Sequence, residues 1–385
     1  MEPQAVQPLP PSGRPCRGGP AWVLFLAAFA AASLAMHRYL VTPIGFASLG
    51  RIWQFFVSYA EFGFIRRGLV GTLLNLAGIE SWFANPYWAV LAVCEIALLL
   101  FCLALAWYCK RRDLGDWRFL ATVAFSPALI LQLGYTGTDN LDLFVLALAA
   151  ANLLWVRRPA TFGLVAALGV LVHELFLFTL PAQLLALREA HGRLAARHWA
   201  AALAPPLVAL GALLAWGDSQ LSREVWETRM AEKLSLATGV HGLWSGYQEI
   251  HTGLADNLAL TLGNYRDQLR QNPWAAAGVI LPLFYLGLLL ERLRRLEGTA
   301  PARLLAGVCL VPLLATPLAT DLYRWIGLSC NLALLWSLRA AGEGCATPRL
   351  DRLLLSFSLL GPLGGYNFAR PFPALQFLLA KFAGT

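Results

Sequence analysis

Apolar runs of roughly twenty residues recur along this chain, divided by short charged segments, and nothing else in it limits folding so sharply. A helix of that length crosses about 30 Å of hydrocarbon. A soluble domain has no use for so many of them. Charged residues make up 14% of the 385 and hydrophobic ones 58%, against about a quarter charged in a soluble globular chain. The polar surface that two or three soluble domains need is missing. The chain therefore reads as all-α, a polytopic transmembrane helical bundle.

The net charge of +8 does not point to nucleic acid, because 27 of the 30 basic residues are arginines placed between the apolar runs. The seven cysteines form no Cys-x-x-Cys or Cys/His cluster, and no metal site is read from them. Residues 1–19, with Pro8, Pro10, Pro11 and Pro15, read as a disordered cytoplasmic tail, and 20–385 as a single transmembrane domain. The first run, about Ala21 to Val41, begins like a signal peptide but continues past its small residues, as an uncleaved anchor does. With the N-terminus inside, 18 of the 30 basic residues fall in short inner segments, among them Arg111, Arg112, Arg157, Arg158, Arg188 and Arg339. Residues 160–187 are apolar but interrupted by His173-Glu174, and only two short helices meeting there keep Arg188, Arg193 and Arg197 inside. About eleven crossings result, some short or re-entrant, with room for a twelfth near 372–380. The largest outer loops are 42–86 and 217–273. Residues 50–64 read as an in-plane amphipathic helix, and the acids and bases of 217–273 alternate at helical spacing, as in an outer cap.

This orientation gathers four charged groups at the outer face, where each ionisable residue beside an apolar span needs an explanation. The first is Glu61-Phe-Gly-Phe-Ile-Arg66-Arg67, whose paired arginines suit phosphate oxygens, or else snorkel to headgroups while Glu61 neutralises one. The second is Asp139-Asn-Leu-Asp142 at a tight turn; capping explains one acid, but two lack a visible basic partner. The third is His173-Glu174, fit for proton transfer, headgroup orientation or an interhelical clasp. The fourth is Asp321-Leu-Tyr-Arg324, an intrahelical pair or a cation facing a cavity.

These residues and their placement resemble the GT-C superfamily, polytopic glycosyltransferases that use polyprenyl-phosphate-linked sugars. The resemblance implies a cytoplasmic N-terminus and a periplasmic active site. It makes an acid of the first outer loop the catalytic base, here Glu61, with Asp139 the second candidate. Arg66, Arg67 and Arg324 would then stabilise the leaving lipid phosphate, with Asp142, His173, Glu174 and Asp321 completing substrate binding. The implied partners are a polyprenyl-phosphate-linked sugar donor, a glycan or lipid acceptor, and the lipid bilayer. No cofactor is fixed; a divalent cation, Mg or Mn, suits two or three acids. The bias to Arg, Ala and Leu fits a bacterial inner (cytoplasmic) membrane protein. A transporter or flippase of a lipid-linked saccharide or other anion needs the same charges, although no internal repeat stands out. A non-catalytic assembly subunit predicts that the outer charges pair among themselves.

Overall fold

In hydrocarbon the backbone has no water to bond, so it must satisfy its own N–H and C=O groups, and helices are the local solution. The computed structural model describes residues 19–37, 52–83, 86–135, 141–238, 246–271, 279–318, 322–341 and 348–360, with no strand among them. The chain opens with α1 (Gly19–Met36), a 3₁₀ turn (Ile52–Phe55), the one-turn α2 (Tyr59–Phe62) and α3 (Gly68–Leu76). A long α4 (Pro86–Arg111) follows, then α5 (Trp117–Ala124) and α6 (Pro127–Ile130), which runs into a π turn (Leu131–Tyr135). Next come α7 (Asp142–Leu154), α8 (Pro159–Val172), a 3₁₀ stretch (Glu174–Thr179), α9 (Leu180–His191) and α10 (Ala196–Trp216). The 217–273 segment holds α11 (Arg223–Thr238), α12 (Tyr247–His251) and α13 (Leu254–Gln271). The rest is α14 (Ile280–Glu297), α15 (Thr299–Leu310) with a 3₁₀ extension (Val311–Leu318), α16 (Leu322–Ala340) and α17 (Pro348–Leu360). Local sequence explains several starts. Asp116 caps α5 by accepting the Arg118 N–H at 3.0 Å, and α6, α8 and α9 carry proline in their first turns, where its missing N–H costs nothing.

Among the described residues, four helices are long and apolar enough to cross a membrane: Tyr87–Arg111, Trp117–Gly134, Ala196–Trp216 and Pro301–Leu318. Shorter apolar helices include Pro20–Met36, Asp142–Leu154 and Pro159–Val172. Val23, Leu100, Leu164, Val208, Leu214 and Ile280 point outward with more than half their surface bare. That much exposed apolar surface belongs against lipid tails. The molecule is a helical membrane protein. Its axis is α16, in which every side chain from Tyr323 to Leu338 is buried, so this helix touches protein on all sides.

The bundle has two chemically distinct ends. At one, Arg339 at the foot of α16 donates to the carbonyls of Leu153 and Ala186 at 2.9 Å each, and Arg112 donates to the Arg339 carbonyl at 3.3 Å. His191 Nε2 lies 2.6 Å from the Arg157 carbonyl at this same end. The chain thus leaves Arg157 along α8, turns at His173, and returns along α9 to where it began. This is the two-armed element expected from His173-Glu174. Asn152 of α7 bonds both arms, reaching the Phe162 carbonyl at 3.3 Å and Gln183 Oε1 at 2.9 Å. The arms close because Gly169 faces the Phe176 ring, which a Cβ at 169 would meet at 2.4 Å. At the opposite end the segments 52–83, 217–238 and 246–251 pack together: Trp226 of α11 sits against Phe62, Tyr247 and His251.

One expectation is corrected. The described part of that stretch, residues 52–64, does not form one continuous amphipathic helix, since Ile52 to Val57 are all buried in the core and two one-turn helices, Ile52–Phe55 and Tyr59–Phe62, stand in its place. Gly71 makes that possible: a Cβ there would lie 2.0 Å from the Val57 carbonyl oxygen. The aromatics of this stretch face protein instead of the bilayer surface.

Candidate functional site

The site is built at the end where α3, α7 and α16 begin and where the α8–α9 hairpin turns. Arg67 is the residue just before α3, held in the left-handed region at φ 63°, ψ 10°. A side chain rarely adopts that backbone, and strain of this kind persists only where surrounding contacts impose it. Those contacts are carboxylates. Arg67 Nε donates to Glu174 Oε1 and Oε2 at 3.1 and 3.2 Å, Nη2 donates to the same carboxylate, and Nη1 donates to Glu249 Oε2 at 3.1 Å. Burial works against the guanidinium charge, but Glu174 and then Glu249 outweigh it and raise the Arg67 pKa.

His173 ends α8 with an extended backbone and is 1% exposed. Its Nδ1 accepts the Leu175 N–H at 3.2 Å and lies 3.3 Å from the Glu174 carboxylate. With the Leu175 bond made, the ring proton of a neutral imidazole is on Nε2. Nε2 is buried and has no partner among the described residues. Buried donors are nearly always bonded, so this one marks a place where a bound group belongs.

Arg324, in the first turn of α16, faces Asp142, the first residue of α7. Its Nε donates to both Asp142 oxygens at 2.9 and 2.7 Å and its Nη2 to Oδ1, with both side chains almost wholly buried. Leu141, just before Asp142, is again left-handed at φ 58°. Of the three non-glycine residues at positive φ among those described, one, Arg67, is a site residue and another, Leu141, directly precedes one. Beneath Arg324, Gln132 donates to its carbonyl at 3.2 Å and accepts from Asn331 at 2.6 Å, which ties the π turn to α16. Arg324 acts electrostatically on both Arg67 and His173, so the two clasps form one cluster.

The sequence-derived residues divide accordingly. Arg67, His173, Glu174, Asp142 and Arg324 come together. Asp139 and Asp321 lie outside the described residues. Arg66 and Arg67 do not act as a pair: Arg66 turns to Asp218 at 2.9 Å and to the Ile250 carbonyl, tying the start of α3 to the end of α10 and to α12. Glu61 neutralises neither arginine. Its carboxylate accepts from Ser58 at 2.7 Å and pairs with Lys233 of α11 at 2.9 Å.

Two features escaped the sequence reading. Glu249 looked like one more charge in a cap, and nothing in its neighbours marks it. Glu95 was readable, a lone carboxylate inside the apolar run of α4; it accepts from Ser33 at 2.8 Å and pairs with His37 at 2.9 Å, clasping α4 to α1. For a divalent cation the fit is poor. The three site carboxylates are bound to arginines, and no group of three or more His, Cys, Asp or Glu able to hold a metal occurs among the described residues. Compared with family models, with characterised proteins and with solved structures, the chain finds no match.

Proposed function

We propose that this protein is a membrane glycosyltransferase that moves a sugar from a polyprenyl-phosphate donor to a glycan or lipid acceptor at the extracytoplasmic face. In this reading the chain crosses a bacterial inner membrane about eleven times, with the cluster outside and the arginine-rich end inside. The observation that carries it is His173 Nε2–H, a buried donor without a described partner, within the fields of Arg67 and Arg324. Three helices also begin here, and their N-termini favour anions. Such a place suits the phosphate that leaves in glycosyl transfer, where negative charge grows in the transition state.

The reaction follows from those roles. A carboxylate takes the proton of the acceptor hydroxyl, whose oxygen attacks the anomeric carbon. The bond from that carbon to the phosphate oxygen breaks, and polyprenyl phosphate departs with the bonding pair. Arg67, Arg324 and His173 hold the phosphate. Asp142 and Glu174 keep the two guanidinium groups aimed. Two described carboxylates compete for the role of base: Glu61, from the family resemblance, and Glu249, the third acid against two arginines.

The test is a transfer assay on purified protein in lipid with a panel of radiolabelled polyprenyl-phosphate sugars. Label should pass to a new product. Glu249→Gln or Glu61→Gln, whichever carries the base, should lower the rate at least a hundredfold. A folded protein that moves no label from any donor removes the reading. Transport is the second reading, favoured by the broken α8–α9 hairpin, because transporters often build sites from discontinuous helices. It predicts a donor that crosses the bilayer unchanged.

A further inference from the structure

The opposite end of the bundle carries a second charged assembly that glycosyl transfer does not use. Arg112 at the end of α4, Arg157 between α7 and α8, and Arg339 at the end of α16 converge from three separate parts of the chain. Their hydrogen bonds go to neutral carbonyls: Arg157 to Leu154 at 2.9 Å, Arg339 to Leu153 and Ala186, and Arg112 to residue 339. The acid in contact with them among the described residues is Glu189, 3.6 Å from Arg339 and 42% exposed. Capping helix C-termini accounts for each bond taken singly. It does not account for three guanidinium groups near one another with one partly exposed acid.

Arg112 and Arg157 are exposed, and each donates one hydrogen bond to a described carbonyl, which leaves the rest of its five N–H groups open to an outside acceptor. Trp155 adds a buried indole N–H without a described partner; its ring meets Tyr108 edge-on at 5.5 Å, and Tyr108 lies within the field of all three arginines. Burial, then repulsion from Arg339 and Arg112, lowers the Arg157 pKa. An anion would relieve that repulsion. Nearby, Trp107 and Trp117 are half exposed, with Arg111 stacked 4.6 Å from the Trp107 ring centre, the pattern of a headgroup-level aromatic belt.

We propose that Arg112, Arg157 and Arg339, with Trp155 Nε1–H, form a binding site for a phosphate group, presented by an anionic phospholipid of the leaflet at this end. This proposal is independent of the reaction proposed above. Basic pockets between membrane helices at the headgroup level recognise anionic lipid in this way.

The test uses the full-length protein in phosphatidylcholine nanodiscs, with retained lipid read by native mass spectrometry and stability by thermal unfolding. Adding phosphatidylglycerol or cardiolipin should give retained lipid and a higher unfolding temperature, while more phosphatidylcholine gives neither. Both exposed arginines can be changed without emptying the core. The double variant Arg112→Gln/Arg157→Gln should bind anionic lipid at least tenfold more weakly. Arg158→Gln, which removes a neighbouring charge alone, should bind as the parent does. An arm with inorganic phosphate separates the sources: stabilisation by millimolar phosphate, lost in the double variant, makes a free phosphate the occupant of the same site. Equal retention of anionic and zwitterionic lipid, or a double variant that binds like the parent, overturns the proposal.

Discussion

At the scale of single residues, Arg67 shows what the sequence could and could not announce. The Arg-Arg dipeptide drew attention to the right place, yet its two members serve different ends, one gripping the cap and the other the hairpin tip. Their partners lie 107 to 184 positions away, and no local pattern encodes such pairings. The same distance hid the partner of Asp142, which is Arg324, 182 residues on. Two outcomes follow. Arg67→Lys keeps the charge but loses the planar fork that spans Glu174 and Glu249, so the transfer activity proposed above should fall about a hundredfold while the protein still folds. Asp142→Asn removes the counter-charge that Asp142 gives a buried guanidinium and should cost about 3–5 kcal/mol, read as an earlier midpoint in chemical or thermal unfolding. An Asp142→Asn protein as stable as the parent would mean that the clasp is well supplied by other groups.

At the scale of elements, periodicity and interruption were legible where polarity breaks an apolar run. His173-Glu174 announced a broken hairpin because two ionisable residues cannot sit casually in mid-helix. The burial of residues 52–57 was not legible. An aromatic-rich segment looks the same whether it faces headgroups or other helices, and only Gly71 against Val57, a tertiary contact, decides between them. The hairpin makes its own prediction. Gly169→Ala drives a methyl into the Phe176 ring and should destabilise by about 1–3 kcal/mol. Adding Phe176→Leu should recover part of that loss in thermal unfolding, because the clash is with the ring. Additive losses in the double variant would place the strain elsewhere.

At the scale of the whole molecule, the described charges gather at two ends of the bundle, and the orientation proposed above assigns each end a side. Segments assigned to the same side by charge come together at the same end: residues 112, 157, 189, 191 and 339 at one, residues 66, 67, 174, 218 and 249 at the other. The five described native cysteines are buried, so Arg193→Cys and Asp218→Cys offer a clean measurement. With Cys16 and Cys345 replaced, a membrane-impermeant thiol reagent added to intact spheroplasts should label position 218 and spare 193. Labelling of both from one side would break the two-ended arrangement. The central helix carries a further consequence. Arg324 and Arg339 stand at opposite ends of α16, fifteen residues apart, a rise of about 22 Å. Tilting only shortens that projection, and the hydrocarbon layer is about 30 Å thick. In the orientation proposed above, the helix is a ruler too short for a layer of that thickness. That orientation, with Arg339 at one headgroup plane, puts Arg324 and Asp142 several ångströms beneath the other, and hydrophobic mismatch then predicts that the bilayer thins, or water descends, to reach them.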